Sequence, residues 1–416
     1  MYQIENVLRP YAWGSTTAIA GLLGRPASGG PEAELWIGAH PDSPSTAIHP
    51  NGVTQPLDAL IAKDPAHFLG GESVAAFGPR LPFLTKILAA DQPLSLQVHP
   101  SLEQAREGFA RENAAGIAAD AAHRNYRDDN HKPEMIFALT PFRALCGFRS
   151  PAASRAIFEH LASVLESAAL DVPEIIKGVI SDLGLPVEEE ALRAAFTRLI
   201  QGGTEATEAI QEIEAVLRAG APQEPHEDAL TAMVGINEAF PGDPGVLISL
   251  LLNHLSLQPG QAVYLPAGNV HAYLQGTGVE VMASSDNVLR GGLTPKHVDV
   301  PELLKTVRFE SLGVPRVEAV RTPFGQELYQ PPFEEFQLQR IELEPGAEPV
   351  PLAQSGPAVV VVVAGTVVLD SPKSDLRLQR GDAAFIPDVE NPVNVHSVQG
   401  ATETSIAFAV TTGLVK

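Results

Sequence analysis

Leu257–Pro266 reads L-Q-P-G-Q-A-V-Y-L-P, and Leu378–Pro387 reads L-Q-R-G-D-A-A-F-I-P. The two stretches share the frame L-Q-x-G-x-A-x-aromatic-aliphatic-P. This frame predicts a glycine turn that leads into a short strand, which ends at a proline beside a loop. Such strands recur in double-sheet jelly rolls of the cupin type. The repeat therefore predicts a mainly β protein with two cupin-type jelly-roll domains.

The rest of the chain is organised around these two domains. Residues 1–150 contain short β-type runs broken by Pro and Gly, with one helix predicted near Ser101–Asn113. At Ser150-Pro151 the pattern becomes that of a helix start, and Ala/Glu/Leu-rich helical spacing continues to about Gly245. We therefore predict the first part of a jelly roll at 1–150, an inserted domain of four or five helices at 151–245, the second part of the jelly roll at 246–320 and a C-terminal jelly roll at 321–416.

Four side chains form a candidate metal site. Gln97 and His99 lie two residues apart in the strand-like run S-L-Q-V-H-P, so both can point to one face. Glu134 lies in N-H-K-P-E-M and His271 in P-A-G-N-V-H-A. Each alone would more often be an ordinary hydrogen-bonded or solvated residue. Together, two imidazoles, a carboxylate and an amide suit a divalent ion such as zinc, with a position left for water or substrate.

The C-terminal copy of the repeat lacks the equivalent ligand. His271 follows Pro266 by five residues, whereas Pro392 stands five residues after Pro387. His396 is a further candidate, but its spacing is wrong. The second jelly roll is therefore predicted to be degenerate and structural, with the metal bound by the first.

Positive charges surround the candidate ligands in a chain whose formal net charge is -22. Lys132 alternates with Glu134, Lys86 lies in L-T-K-I-L-A, and Arg290 and Lys296 lie close together after His271. A basic cluster beside a metal suggests a small anionic substrate such as a phosphate ester. The alternative is that each cation pairs with a nearby acid, such as Asp128 or Asp286.

A carboxylate near His271 is a candidate acid or base. Glu280 alternates with Val279 and Val281, so its side chain should face away from these two apolar residues. A carboxylate in a lined cavity can have a raised pKa and exchange protons with a substrate.

The composition and the motifs of the chain argue against several classes of function. So acidic a chain would repel a phosphate backbone, which argues against nucleic acid as a partner. No apolar stretch approaches the roughly 18 residues of a membrane span, and the N-terminus does not resemble a signal peptide. The single cysteine, Cys146, has an apolar setting typical of a buried thiol. These features predict a cytoplasmic protein without a membrane partner, and the absence of nucleophile-elbow and P-loop motifs argues against serine hydrolases and NTPases.

The chain resembles the type I phosphomannose isomerases, which are zinc enzymes of the cupin class. The pieces that carry the resemblance cover both β segments of the predicted first jelly roll in family order. They are P-Y-A-W-G-S at Pro10–Ser15, E-L-W-I-G-A-H-P at Glu34–Pro41, P-F-L-T-K-I-L at Pro82–Leu88, P-L-S-L-Q-V-H-P at Pro93–Pro100, Y-R-D-D-N-H-K-P-E-M at Tyr126–Met135, A-L-C-G-F-R at Ala144–Arg149, L-P-A-G-N-V-H-A-Y at Leu265–Tyr273 and S-D-N-V-L-R-G-G-L-T-P-K at Ser285–Lys296.

The resemblance implies an activity and a set of roles. It implies a monomer that interconverts mannose 6-phosphate and fructose 6-phosphate, with one zinc ion on Gln97, His99, Glu134 and His271, and a place in carbohydrate metabolism that includes GDP-mannose biosynthesis. Arg290 would be catalytic. Glu280 is our first choice of base, with Asp286, His131 and Lys132 as alternatives. The residues expected to line the sugar-phosphate pocket are Lys132, Tyr273, Glu280, Asp286, Lys296, Lys86 and Ser95.

Three other interpretations remain open. One is a sugar-phosphate-binding cupin without isomerase activity, which would not need a complete ligand set. A second is another cupin enzyme, such as a phosphoglucose isomerase or a metal-dependent dioxygenase. The third is a bifunctional enzyme with guanylyltransferase activity, for which neither end of the chain has the length.

Overall fold

The structure is a computed structural model that describes residues 1–49 and 51–414. In chain order its strands are β1 (Tyr2–Glu5), β2 (Val7–Arg9), β3 (Glu34–Ile37), β4 (Thr46–Ile48), β5 (Thr54–Pro56), β6 (Phe83–Ala90), β7 (Gln97–Val98), β8 (Glu134–Ala138), β9 (Phe142–Phe148), β10 (Leu252–Leu257), β11 (Ala262–Leu265), β12 (His271–Ala283), β13 (Leu289–Arg290), β14 (Arg316–Val317), β15 (Val320–Arg321), β16 (Glu327–Tyr329), β17 (Gln337–Leu343), β18 (Val350–Pro351), β19 (Ala358–Ala364), β20 (Thr366–Asp370), β21 (Asp375–Gln379), β22 (Ala383–Ile386), β23 (Asn394–Ser397) and β24 (Ser405–Thr411).

The helices are α1 (Ala18–Leu23), α2 (Leu57–Ile61), α3 (Pro65–Leu69), α4 (Gly71–Phe77), α5 (Leu102–Ala114), α6 (Pro151–Ser167), α7 (Glu174–Asp182), α8 (Glu188–Ile200), α9 (Gly203–Arg218), α10 (Glu227–Ala239), α11 (Gly245–Ile248) and α12 (Val300–Thr306), with 3₁₀ turns at Ser249–Leu251 and Asp388–Glu390. Within the described residues, none of these helices is both long and apolar enough to cross a bilayer.

An eleven-stranded sheet folds over on itself around β12. The second half of this strand pairs with β6 and β8, whereas its first half pairs with β7 and β9. Gly276 lies where the pairing changes, at φ +126°, and a Cβ there would come within 2.7 Å of the Pro141 carbonyl oxygen. The bend therefore requires glycine. It produces two layers of sheet with a shared apolar interior that includes Leu88, Ile136 and Phe142.

Alternation along the strands decides which side chains enter this interior. On β8, Glu134, Ile136 and Ala138 face inward, and Met135 and Phe137 pack into a second core between this sheet and its neighbour. On β12, Val279 and Val281 belong to the second core. Glu280 therefore points the other way, into the folded sheet, as the sequence predicts.

A nine-stranded sheet packs against the outer face of the first. It runs β15-β16-β17-β24-β19-β22-β1-β4-β5, and a four-stranded sheet, β18-β23-β20-β21, covers its far side. The strand β1 from the start of the chain pairs with β22, with Tyr2 opposite Phe385. The chain thus crosses between the two sheets after β1, β3, β5 and β14.

The two copies of the repeat have the same local geometry. Gly260 and Gly381 adopt φ values of +92° and +93°. The amide of Gly260 bonds to the carbonyl of Ala138 on β8, and the amide of Gly381 bonds to the carbonyl of Val362 on β19, at 2.9 and 2.8 Å. Each glycine therefore turns the chain into a strand, β11 or β22, in the same way.

After residue 150 the observed helices match those predicted from the sequence. Before residue 150 the structure contains more helices than were predicted. Ser150 caps α6, with its hydroxyl 3.2 Å from the amide of Ala153, and five helices follow one another to Ala239, as predicted. Ser101 caps α5 through a capping box with Gln104. The part before residue 150 also contains α1 to α4, which the sequence did not predict. These helices have only five to seven residues, too few for periodicity to reveal.

Candidate metal centre

Three predicted ligands converge at one end of the folded sheet. Glu134 is the first residue of β8 and His271 the first of β12, and His99 follows β7 directly. The Nε2 atoms of His99 and His271 each lie 3.3 Å from a different oxygen of Glu134. One ligand atom from each residue falls within 4.8 Å of the others, and the three residues are at most 4% exposed. A single ion can therefore contact all three.

Backbone carbonyls orient both imidazoles. The Nδ1 atom of His99 lies 2.8 Å from the carbonyl oxygen of Asn287, and that of His271 lies 3.0 Å from the carbonyl oxygen of Asn269. A carbonyl only accepts, so each Nδ1 carries the proton and each Nε2 keeps its lone pair. The Nε2 atom of His99 is buried without a hydrogen-bond partner. This arrangement fits a metal ligand.

The charges at the centre also suit a cation. Burial lowers the pKa of His99 to about 4, helped by the positive charge of Lys132. Burial opposes ionisation of Glu134, but Lys132 and the imidazoles outweigh it and hold the pKa of this carboxyl well below its usual range. At neutral pH the site therefore offers a neutral imidazole and a carboxylate, the forms that bind a metal.

Gln97 lies beside this cluster through strand pairing. It is directly opposite His271 on β12 and opposite Arg290 on β13. Cross-strand partners have Cβ atoms about 4.5–5.5 Å apart. The structure thus brings all four predicted ligands together, with Arg290 next to Gln97.

A buried charge triad lies deeper in the folded sheet. Lys86 is directly opposite Glu280, with its Nζ atom 2.9 Å from the Glu280 carboxylate and 3.6 Å from that of Glu34. Burial opposes charge on the ammonium, but the two carboxylates raise the pKa of Lys86. Burial also raises the pKa of Glu280, and Lys86 only partly offsets that rise. The triad contains one cation for two acids, so Glu280 holds a proton more readily than an ordinary glutamate.

Glu34 and Trp36 are site residues that the sequence analysis did not single out. The indole Nε1 of Trp36 donates to Glu34 at 2.7 Å, and the ring lies 5.3 Å from the Lys86 ammonium. Both come from the run E-L-W-I-G-A-H-P, which carried the family resemblance but no assigned role. Side chains alternate along β3, so Glu34 and Trp36 lie on the face opposite Leu35 and Ile37. This alternation is the sequence signal that could have identified them.

Tyr273 lies in the apolar interior beside the metal cluster. It is 4% exposed, and its ring centroid is 6.3 Å from that of His271. Burial raises the pKa of the phenol well above its usual value, and Glu280 and Glu134 raise it further. The phenol is therefore a proton donor and not a base. Ser95 is half-buried between Leu94, whose amide bonds to Tyr273, and Leu96.

A second group of cations lies toward the surface. Burial lowers the pKa of Arg290, and the neighbouring Arg127 lowers it further. Burial likewise lowers the pKa of the exposed Lys296, with added repulsion from Arg290 and Arg127. Three like charges are thus held near one another. The acids that might have neutralised them, Asp128 and Asp286, have other partners. Arg127 lies in the run Y-R-D-D-N-H-K-P-E-M, but nothing in the residue pattern of that run distinguished Arg127 as a site residue.

The alternative bases have partners of their own. Asp286 is 37% exposed and lies 3.6 Å from the Nε2 atom of His40, whereas Lys132 lies 3.1 Å from the Glu134 carboxylate. His131 contacts the carboxylate of Glu335. Lys132 precedes β8, and its ammonium nevertheless reaches the Glu134 carboxylate.

A cavity of about 430 Å³ adjoins the centre. His40, Arg127, Asp128 and Asp286 lie on its wall, and none of the metal ligands does. The His40 ring lies edge-on to the Trp36 ring, which is 5.3 Å from the Lys86 ammonium, so this wall lies next to the buried triad. Of the three grouped cations, Arg127 lies on this wall and Arg290 and Lys296 do not, and a cavity of this volume can admit a small phosphorylated molecule.

The β framework and the buried His-Glu-His cluster define a metal-binding protein. Residues 1–151 match the model of the type I phosphomannose isomerase catalytic domain. The mannose-6-phosphate isomerase of Salmonella typhimurium is 41% identical over 95% of this chain and 96% of its own, and that of Escherichia coli is 40% identical over 95% and 97%.

Solved structures agree with the sequence relatives. A mutant of Salmonella typhimurium phosphomannose isomerase superposes with a TM-score of 0.87 at 38% identity, with 100% of both chains covered. A zinc-bound mannose 6-phosphate isomerase gives 0.86 at 37% identity over 99% of both chains. The chain belongs to the type I phosphomannose isomerase family.

Proposed function

We propose that this protein is a zinc-dependent aldose–ketose isomerase that interconverts mannose 6-phosphate and fructose 6-phosphate. The observation that carries the proposal is the buried cluster in which two imidazole Nε2 atoms face one carboxylate. Gln97, His99, Glu134 and His271 would hold one zinc ion. When bound, zinc would act as a Lewis acid toward the substrate oxygens.

Proton transfer between C1 and C2 through a cis-enediol requires a base within reach of the C2 proton. Glu280 remains our first choice, because it is a buried carboxylate that no ligand role occupies and its pKa is raised toward neutrality. Tyr273, held protonated, would donate a hydrogen bond to a substrate oxygen. Lys86 would keep the Glu280 carboxylate oriented. The alternative bases remain Asp286, His131 and Lys132.

Arg290 would stabilise the negative charge that develops on the substrate, because it adjoins Gln97 across the strand pair. The phosphate would lie among Lys296, Arg127 and the outer side of Arg290. These cations repel one another, and a dianion between them would remove that repulsion. Anchoring the phosphate would position the distant C1 and C2 carbons.

We further propose that the fold consists of two cupin-type jelly rolls. The shared glycine geometry at Gly260 and Gly381 supports this interpretation. The first jelly roll would comprise 1–150 and 246–320, with the helical insertion at 151–245, and the degenerate one 321–416. Pro392 replaces a histidine in the latter, and His396 lies 3.2 Å from Asp370. We also propose that the protein is a monomer in the cytoplasm and that it acts in carbohydrate metabolism and GDP-mannose biosynthesis.

The decisive experiment is turnover of mannose 6-phosphate by the purified protein before chelation, after chelation and after zinc is restored. We expect activity that is lost with the metal and returns with it. A folded, zinc-loaded protein that binds mannose 6-phosphate without converting it would favour the non-catalytic sugar-phosphate-binding cupin.

A Glu280→Gln variant tests the base. We expect turnover to fall by about 10²–10⁴-fold with zinc content unchanged, because the amide cannot accept the proton. Glu390→Gln is the matched control, since Glu390 is a buried carboxylate of the C-terminal sheet region. Near-normal turnover of zinc-loaded Glu280→Gln would remove Glu280 from the role and direct attention to Asp286.

A further inference from the structure

Asn287 is a completely buried amide between the metal centre and the segment 127–130. It lies in S-D-N-V-L-R, a run that carried the family resemblance, and no catalytic or ligand role falls on it. Its side-chain oxygen accepts from the amides of Arg127 at 2.7 Å and Asp128 at 3.2 Å. Its side-chain nitrogen donates to the carbonyls of Asp128 and Asn130, both at 2.8 Å.

These contacts use the full hydrogen-bonding capacity of one amide, two donors and two acceptor positions. The same nitrogen also lies 3.3 Å from a carboxylate oxygen of Asp128. A buried side chain satisfied in this way fixes the backbone of 127–130 in one position. Residue 287 itself is fixed from the other side, because its carbonyl accepts the Nδ1 proton of His99.

The segment held by Asn287 carries a cation that two neighbouring cations repel. Arg127 is exposed, and its charge acts unfavourably on Arg290 and Lys296. Like-charge repulsion would move a free segment outward. Bonds from Asn287 to the backbone at Arg127 and Asp128 oppose that movement. The amide therefore fixes the backbone from which the Arg127 side chain extends, relative to the metal ligand His99.

We propose that Asn287 is a positioning residue that holds Arg127 at the phosphate-binding position relative to the metal centre. The inference rests on the proposed function for the identity of the anion. It assigns Arg127 to phosphate binding and Asn287 to the placement of Arg127. The metal ligands are not affected directly, because the bond from His99 goes to the backbone of residue 287.

The test is a double-mutant cycle with inorganic phosphate as the probe, measured by calorimetry on zinc-loaded protein. Asn287→Ala and Arg127→Ala should each weaken phosphate binding about tenfold, the size expected for one lost hydrogen bond to a charged group. In the Arg127→Ala background, Asn287→Ala should add less than a twofold change. Additive effects would overturn the proposal, because Asn287 would then act independently of Arg127.

Asn237→Ala is the matched control. Asn237 is also a buried amide, 5% exposed, that bonds to a turn, but it lies on α10 in the helical segment. We expect it to lower thermal stability without changing the affinity for phosphate. An equal loss of affinity in Asn237→Ala would show that general destabilisation explains the result. If Asn287→Ala does not fold, Asn287→Ser replaces it in the same cycle.

Steady-state kinetics separate this proposal from the function on which it rests. In Asn287→Ala the KM for mannose 6-phosphate should rise about tenfold while zinc content and kcat change little. A wild-type protein that does not isomerise mannose 6-phosphate would refute the function, and the phosphate cycle would still decide the role of Asn287. A fall in kcat at unchanged KM would refute the positioning role.

Discussion

Replacing Lys86 by Met removes one buried cation and leaves its two carboxylate partners in place. The ammonium lies 2.9 Å from Glu280 and 3.6 Å from Glu34, and all three side chains are less than one-tenth exposed. With an effective dielectric constant of about 20, each attraction is on the order of 5 kcal/mol before desolvation is subtracted. Breaking a buried pair by removing one partner costs about 3–5 kcal/mol. We expect Lys86→Met to lower the free energy of unfolding by about this amount at neutral pH.

The direction in which stability changes with pH also follows from this charge triad. Glu280 has a raised pKa in the folded protein, so it binds a proton there at pH values where the unfolded chain has lost it. Stability therefore falls as pH rises from the unfolded pKa toward the folded one. Lys86 opposes this shift, so its removal should extend the fall to higher pH. The acid limb of kcat/KM should move to higher pH for the same reason.

Urea unfolding between pH 5 and 9 measures the effect. The double variant Lys86→Met/Glu280→Gln should recover most of the lost stability, because it no longer buries an unpaired carboxylate at position 280. Lys177→Met is the control, since Lys177 forms an exposed pair with Glu174 and should leave stability unchanged. A Lys86→Met protein within 1 kcal/mol of wild type across this range would refute the charge-triad argument.

Three further outcomes follow from the structure. Arg290→Ala should lower kcat/KM by about 10²–10³-fold with zinc content intact, and loss of folding would instead indicate a structural ion pair. Gly276→Ala should destabilise the protein by about 1–3 kcal/mol, because its φ of +126° and the nearby Pro141 carbonyl exclude a Cβ. Gly235→Ala, in open space on α10, should have no such cost, and equal losses in both would contradict the bend at β12. Cys146 should resist alkylation at pH 8 until the protein unfolds, because burial raises the pKa of its thiol to about 12, and rapid labelling of native protein would contradict this.

Local patterns predicted those parts of the site that depend on spacing. Glu280 points inward because Val279 and Val281 point outward, as alternation along a strand predicts. Caps predicted where α5 and α6 begin. The repeat at Leu257–Pro266 and Leu378–Pro387 predicted two strands that enter from the same glycine turn.

Contacts between distant segments could not be predicted in this way. Glu34 became a site residue only through the pairing of β3 with β6, and Arg127 through a segment held by an amide far along the chain. Alternation on β3 indicates which face Glu34 occupies but not which residues it meets, and no periodic pattern marks Arg127, since each contact depends on which segments become neighbours. The short helices α1 to α4 depend on tertiary contacts for the same reason.

The pairing of β1 with β22 has a consequence for biosynthesis. Tyr2 and Phe385 are far apart in the chain, so β1 can pair with β4 early, but the edge of β1 that takes β22 stays open until the residues between them have been made. At about 5–20 residues per second this interval is on the order of tens of seconds. During that time one edge of β1 is unpaired, and other nascent chains could extend it. We therefore expect the nascent chain to depend on chaperones until β22 emerges from the ribosome. This dependence should then end abruptly, and not gradually as each segment is completed.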